Sequence, residues 1–184
     1  MPHLILLGVG AAGCVEYAPA GLLLEYGHVR VGFDGGPGSE PPESIHAWLV
    51  CDLHDDLQPA RRRIAQETGM PDPAVVPYDH LQLRIEPMPV AQHAYGYRFT
   101  VGHRVGVWTP VLGGFPAWAE GADLMFADAT ESRVQVGDLA ADAKRLGVRR
   151  LVFVRLGTAA MSALDAGGRP PYGEWGQESR TYRL

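Results

Sequence analysis

The amino-acid sequence predicts a layered α/β domain. Strand-sized apolar runs separated by glycine and proline turns fill its first part, and its later part follows the order strand, helix, strand. The chain has 184 residues, of which 46% are hydrophobic and 20% charged. A chain of this length and composition can bury a core without staples. We therefore expect one domain over residues 1–184.

The first part of the chain contains four predicted strands and a helix. Residues 3–7 form an apolar run that ends in a glycine turn, and residues 20–25 and 29–33 are typical of a hairpin. Residues 45–51 are a further strand. After Pro59, a helix is predicted over residues 60–68, because proline suits a first turn and Gly69 ends the pattern.

The later part is predicted to add a strand series, a helix and a last buried strand. Short strands are expected at residues 75–78, 82–86, 88–92, 95–101, 104–108 and 123–127. A helical pattern covers residues 136–146, and the buried strand follows at 151–154. Residues 167–184 are rich in glycine, proline and aromatic residues, so we expect a tail that wraps the surface.

Composition argues against several functional classes. The net charge is −5 and the pI about 5.8, so nucleic-acid binding is disfavoured because it needs a basic face. The one basic cluster, Arg61 to Arg63, is interpreted as a solvated helix face. No apolar run reaches the roughly 20 residues that span a bilayer, and no leader peptide is indicated. Two cysteines are too few for a disulfide scaffold. We expect a cytoplasmic protein.

Metal-type side chains concentrate directly after the strand at residues 45–51. Asp52, His54 and Asp56 alternate there, and His93 follows a later strand. Carboxylate and imidazole groups are ligands of zinc and iron. The alternative is that Asp55 and Asp56 stabilise the amino end of the following helix. Both interpretations stay open from the residues alone.

The order of several short motifs resembles the metallo-β-lactamase superfamily, closest to its tRNA-maturing ribonuclease and phosphodiesterase branch. The resemblance covers the whole chain, although each motif is short. The matching segments are Leu4-x-Leu6-x-Gly8-x-Gly10, Leu22 to Glu25, Val31-x-Phe33-Asp34-x-Gly36-Pro37-Gly38, His93 with Gly96 to Phe99, Ala122 to Leu124 and Asp128 to Thr130. It implies a trimmed form of the four-layer αββα sandwich.

The metal motif of that family departs from its pattern in this chain. The family has His-x-His-x-Asp-His, whereas this sequence has Asp52 at the first histidine and Leu57 at the last. The later bridging aspartate falls at residues 109–111, without a carboxylate, and the final histidine falls at Arg155. The resemblance therefore implies that a second metal site is absent.

The ligands that remain imply one mononuclear site. Carried over, the first metal's ligands are Asp52, His54 and His93, a set suited to one divalent ion, zinc first, with manganese or iron as alternatives. The implied activity is hydrolysis of a phosphoester or other ester-like small molecule. Asp55 and Asp56 are candidate proton donors, and Arg155 a candidate partner for Asp56 or a substrate anion.

Two other functions remain open. The chain could be a non-catalytic binding or scaffold protein that has lost most of the family's ligands. A ferrous-iron protein of oxygen chemistry is allowed by the ligand set alone. Self-association is also expected to be possible, with the apolar residues 111–118 as a candidate contact.

Overall fold

A computed structural model describes residues 1–110, 114–130 and 136–184. Two β-sheets dominate these residues. The strands are β1 (His3–Gly8), β2 (Gly21–Tyr26), β3 (Val29–Asp34), β4 (Ala47–Leu49), β5 (Tyr78–His80), β6 (Leu83–Ala91), β7 (Ala94–Val101), β8 (Arg104–Thr109), β9 (Leu124–Asp128), β10 (Leu151–Val154), β11 (Glu174–Trp175) and β12 (Thr181–Arg183). The helices are α1 (Gln58–Thr68), α2 (Val136–Arg145) and α3 (Thr158–Asp165), with a short 3₁₀ turn at Ala117–Ala119.

The five-stranded sheet has the order β12-β1-β2-β3-β4. β12, β1, β2 and β3 pair antiparallel, whereas β4 joins β3 in parallel. Because β4 runs parallel to β3, both strands end at the same edge, and Asp34 closes β3 just where the chain leaves β4. That shared edge positions the candidate site.

The seven-stranded sheet has the order β11-β10-β9-β8-β7-β6-β5. β5 to β8 form an antiparallel meander, and β8 to β11 pair in parallel. Parallel pairing requires crossovers, which α2 supplies between β9 and β10. The carboxyl ends of β8 and β10 therefore lie at one edge, where Pro110 and Arg155 follow.

Alternation along the strands builds the layers. Leu22 and Leu24 of β2 lie in the large core between the sheets, whereas Leu23 packs in a second cluster with Trp48 and with Ala65 of α1. Successive strand residues face opposite sides, so α1 covers the outer face of the five-stranded sheet. Within the described part of the chain, no helix is long and apolar enough to cross a membrane.

Most predicted elements are confirmed. In the middle of the chain, the strand predicted at residues 75–78 lies at Tyr78–His80, and those predicted at 82–86 and 88–92 form the single strand β6. The larger differences lie in the last third. α3 was not expected, and the segment 167–184 does more than wrap the surface. It supplies β11 to one sheet and β12 to the other, burying Trp175 and Tyr182. In the candidate contact surface at 111–118, residues 111–113 lie outside the described residues.

Candidate functional site

A small cavity of about 40 Å³ opens between the two sheets, beside the carboxyl ends of β3, β4, β8 and β10. Its volume suffices for a few water molecules or a small ion. The residues lining it are Gly10, Ala12, Pro19, Ala20, Asp34, Cys51, Asp52, Asp55, Leu57, Arg61, Pro110 and Arg155. We call the residues that line this cavity the interior of the candidate site. We call His54 and His93, which lie outside the cavity lining, together with the Asp52 carboxylate beside them, the rim.

Asp34 anchors the interior. Its side chain is buried, with Oδ1 accepting the backbone N–H of Cys51 at 2.8 Å and Oδ2 accepting the indole N–H of Trp108 at 2.7 Å. Its carbonyl accepts the indole N–H of Trp48 at 2.8 Å. The residue also has a positive φ of 46°, a conformation that aspartate tolerates better than most residues. The carboxylate thus joins both sheets to the loop after β4.

Arg61 of α1 contradicts the interpretation of residues 61–63 as one solvated face. Arg62 and Arg63 are exposed, but the Arg61 side chain is only 2% exposed. Its Nε donates to the carbonyl of Gly35 at 2.8 Å, and its Nη2 lies 3.3 Å from Oδ2 of Asp55. A buried guanidinium needs such partners, and here it places a fixed positive charge in the interior.

Cys51 is buried beside these charges. Burial, reinforced by the Asp34 carboxylate, raises the pKa of its thiol well above the usual value, and the charges of Arg61 and Arg155 oppose this only in part. A thiol with a raised pKa is protonated at neutral pH and is a poor nucleophile.

The rim brings His54 and His93 together. Asp52 forms an isolated antiparallel bridge with Ala94, and the backbone N–H of Tyr95 donates to the carbonyl of Cys51 at 2.8 Å. This holds the tip of the β6–β7 hairpin against the loop after β4. The two imidazole rings lie 5.3 Å apart between centroids, at 65° to each other. Both residues are exposed and neither lines the cavity.

The Asp52 carboxylate is close to one of these rings. Its Oδ1 accepts the backbone N–H of His54 at 2.7 Å and lies 3.6 Å from Nδ1 of the same residue. The Asp52 side chain is 32% exposed and that of His54 is 72% exposed. The carboxylate therefore holds the loop in a tight turn while keeping an open side toward solvent.

The three candidate catalytic residues occupy different positions. Asp55 lines the cavity, with Oδ1 accepting the backbone N–H of Leu57 at 2.6 Å and Oδ2 facing Arg61. Asp56 is exposed and is not among the cavity residues. Arg155 lines the cavity at a positive φ of 56°, and its Nη1 donates to the carbonyl of Pro110 at 3.2 Å. This contact holds Arg155 over the cavity.

Two pairs of candidate ligands at the rim, His54 with His93 and Asp52 with His54, have separations close to those expected around one metal ion. Two imidazoles on one tetrahedral zinc, with bonds of about 2.0–2.1 Å, have centroids about 5 Å apart, close to the separation of His54 and His93. Two ligand atoms of one such tetrahedral ion lie about 3.4 Å apart, which is close to the 3.6 Å between Oδ1 of Asp52 and Nδ1 of His54. Over residues 1–110, 114–130 and 136–184, however, no three His, Cys, Asp or Glu side chains form a group that could hold a metal. Coordination by all three residues stays a prediction.

The interior offers a poorer donor set. Leu57 has no donor atom, and the guanidinium groups of Arg61 and Arg155 have no lone pair to give. Both oxygens of Asp34 already accept hydrogen bonds. These lining residues do not fit a second metal beside the first.

Sequence reasoning found His54 and His93 at the rim and Asp52, Asp55 and Arg155 of the cavity lining, but it missed Asp34 and Arg61. Asp34 was noted only as part of a segment that resembles the family, and Arg61 only as part of a basic cluster. The spacing in the sequence does place Arg61 on one helix face with Gln58 and Ala65. These three are the buried residues of α1.

Several solved structures resemble this one. No protein-family model and no curated protein matches the chain. The metallo-β-lactamase fold protein YhfI from Bacillus subtilis matches with a TM-score of 0.75 and 13% identity over 100% of both chains. Zn²⁺-bound PqqB from Methylobacterium extorquens matches with 0.73 and 12%, over 99% of this chain and 100% of that one. A diphosphatase of the PhnP family matches with 0.73 and 14%, over 98% and 96%. The fold predicted from the sequence is thereby confirmed.

Proposed function

Because the chain has the metallo-β-lactamase fold, we propose that it is a hydrolase-like protein with a reduced, mononuclear metal site. Its ligands are His54, His93 and Asp52, and its substrate is a phosphoester or other ester-like small molecule. The observation that carries the proposal is the 5.3 Å separation of the His54 and His93 rings, which come from sequence positions 39 residues apart. Since both rings are exposed, they are free to rotate toward a shared ion.

The remaining residues have distinct roles in this proposal. A bound zinc ion supplies a water of lowered pKa. Arg155, held at the cavity by Pro110, orients an anionic group of the substrate. Asp56, exposed beside the rim, exchanges a proton with the leaving group. Asp55 orients Arg61 through its 3.3 Å contact, which makes it a positioning residue. The small cavity restricts the substrate to the open rim.

The test is the metal content of protein purified without chelator. We expect about one zinc, manganese or iron per chain in the wild type and less in His54→Ala. The matched control is His103→Ala, which removes an exposed histidine from the β7–β8 turn and should keep the wild-type content. Equal metal content in His54→Ala and the wild type would contradict the proposal.

A second candidate is a non-catalytic binding or scaffold protein. It is favoured by one observation, the occupation of the interior by Leu57, Arg61 and Arg155, none of which can ligate a metal. In that case the wild type contains no metal after purification, and adding zinc or manganese produces no hydrolysis of bis-p-nitrophenyl phosphate. Stoichiometric metal that is lost in His54→Ala would exclude this candidate.

A further inference from the structure

Three histidines gather at the end of the sandwich opposite the candidate site. His28 lies in the β2–β3 turn, His46 just before β4, and His80 at the end of β5. β3 runs from Val29, beside His28, to Asp34 at the candidate site, which is about 16–20 Å at roughly 3.3 Å per residue. The group is therefore separate from His54 and His93.

His28 and His80 face each other across the two sheets. Their ring centroids are 5.2 Å apart, with an interplanar angle of 89°. This separation matches the roughly 5 Å of two imidazoles on one tetrahedral ion. The same end is joined by the hydroxyl of Tyr26, which donates to Oε1 of Gln82 at 3.2 Å. These contacts hold the β2–β3 and β5–β6 hairpins side by side, as a shared ligand would require.

One nitrogen of this pair is unusually placed. Nε2 of His80 is buried and has no hydrogen-bond partner among the residues that the structure describes. A buried polar atom without a partner is costly, and native structures keep few of them. His28, in contrast, is exposed and free to turn. A metal ion bound at Nε2 would give this buried nitrogen the partner that it lacks.

His46 is unsuited to join them as a ligand. Its Nδ1 accepts the backbone N–H of Arg30 at 3.2 Å, so a neutral ring carries its proton on Nε2 and has no free lone pair. Its ring is also farther from His28, at 6.2 Å. Arg30 also forms an ion pair with Glu25 at 3.0 Å.

We infer that His28 and His80 form a two-imidazole site for a divalent transition metal that links the two sheets. A site with imidazole ligands alone selects copper, nickel or zinc over calcium or magnesium. It has two protein ligands and takes water at its other positions. Since the ion binds the folded arrangement of two hairpins, it stabilises the folded protein.

The experiment uses the full-length His54→Ala/His93→Ala double variant, so that the rim cannot contribute. Equilibrium dialysis with Ni²⁺ at pH 7.5 should give one ion per chain. The unfolding temperature should rise by about 5–10 °C when free Ni²⁺ is a hundred times its Kd. Adding His28→Ala or His80→Ala should weaken binding at least about tenfold, whereas His46→Ala and His103→Ala should leave it unchanged.

Acidification supplies an independent readout. Imidazole must be deprotonated to bind a metal, so binding should be lost at pH 5, below the usual histidine pKa of about 6.5. Should His80→Ala fail to fold, the exposed His28→Ala variant carries the test alone. Absence of Ni²⁺ binding, or binding that survives His28→Ala, would overturn the inference. Because the rim histidines are already removed, neither result depends on the proposed hydrolase function.

Discussion

The interior and the rim of the candidate site differ in how firmly their polar groups are held. In the interior, Asp34 and Arg61 are almost completely buried and bonded to backbone or charged partners. At the rim, His54 and His93 are exposed, and their ring centroids lie 5.3 Å apart. The polar groups of the interior are part of the folded framework, whereas those of the rim remain available for binding.

This difference has an electrostatic origin. Buried carboxylates such as Asp34 require hydrogen bonds and a nearby positive charge. Arg61, whose guanidinium is permanently protonated, lines the same cavity and lies 3.3 Å from the Asp55 carboxylate.

The largest expected effect is a loss of stability when the charge of Arg61 is removed from the interior. Arg61→Met keeps the apolar stem but leaves Asp55 without its cation, so we expect the free energy of unfolding to fall by about 3 kcal/mol. This is the low end for a broken buried pair, because Asp55 is 32% exposed. Urea unfolding measures it. Arg62→Met, on the exposed side of α1, should change the value by less than about 0.5 kcal/mol, and equal losses would remove the contrast.

A somewhat smaller loss is expected at Asp34. Asp34→Asn preserves shape but sets an amide NH₂ against one of two N–H donors, those of Cys51 and Trp108. One buried donor then lacks an acceptor, which costs about 2–3 kcal/mol. Thermal and urea unfolding both report the loss. A change below about 0.5 kcal/mol would show that Asp34 is not an anchor.

The rim should respond in binding and not in stability. His93 has a positive φ of 65°, which asparagine also tolerates, so His93→Asn should fold with nearly unchanged unfolding free energy. Zinc affinity at the rim should fall at least about tenfold, equivalent to about 1.4 kcal/mol. Titrations in the His80→Ala background isolate the rim. An unaltered affinity would take His93 out of the site.

The two cysteines of the unaltered chain are expected to differ in their rates of alkylation. Cys51 is 2% exposed and its pKa is raised by burial, whereas Cys14 is half-buried. Alkylation requires the thiolate, so at pH 8 we expect iodoacetamide to modify Cys14 at least about tenfold faster. Mass spectrometry of the intact and digested protein measures both rates. Comparable rates would mean that the interior opens readily.

Local patterns explain what could be predicted from the sequence. The β2–β3 hairpin and α1 follow from apolar runs, a turn at Gly27 and the stop at Gly69. The proximity of His54 and His93 depended on family resemblance, because no local pattern reports a contact across 39 residues. β11 has two residues, too few for any periodicity. Arg61 was missed because its partners, Gly35 and Asp55, belong to loops whose course only the assembled fold defines.

The place of β12 bears on the order of events during synthesis. β12 pairs with β1, joining Thr181 to Ile5 and Arg183 to His3, so β1 is synthesised long before the strand that covers its outer edge. Until then β1 presents unpaired backbone groups, as an edge strand open to association with other chains. A polypeptide that lacks residues 181–183 should therefore be prone to intermolecular strand pairing, and the addition of β12 should remove that tendency.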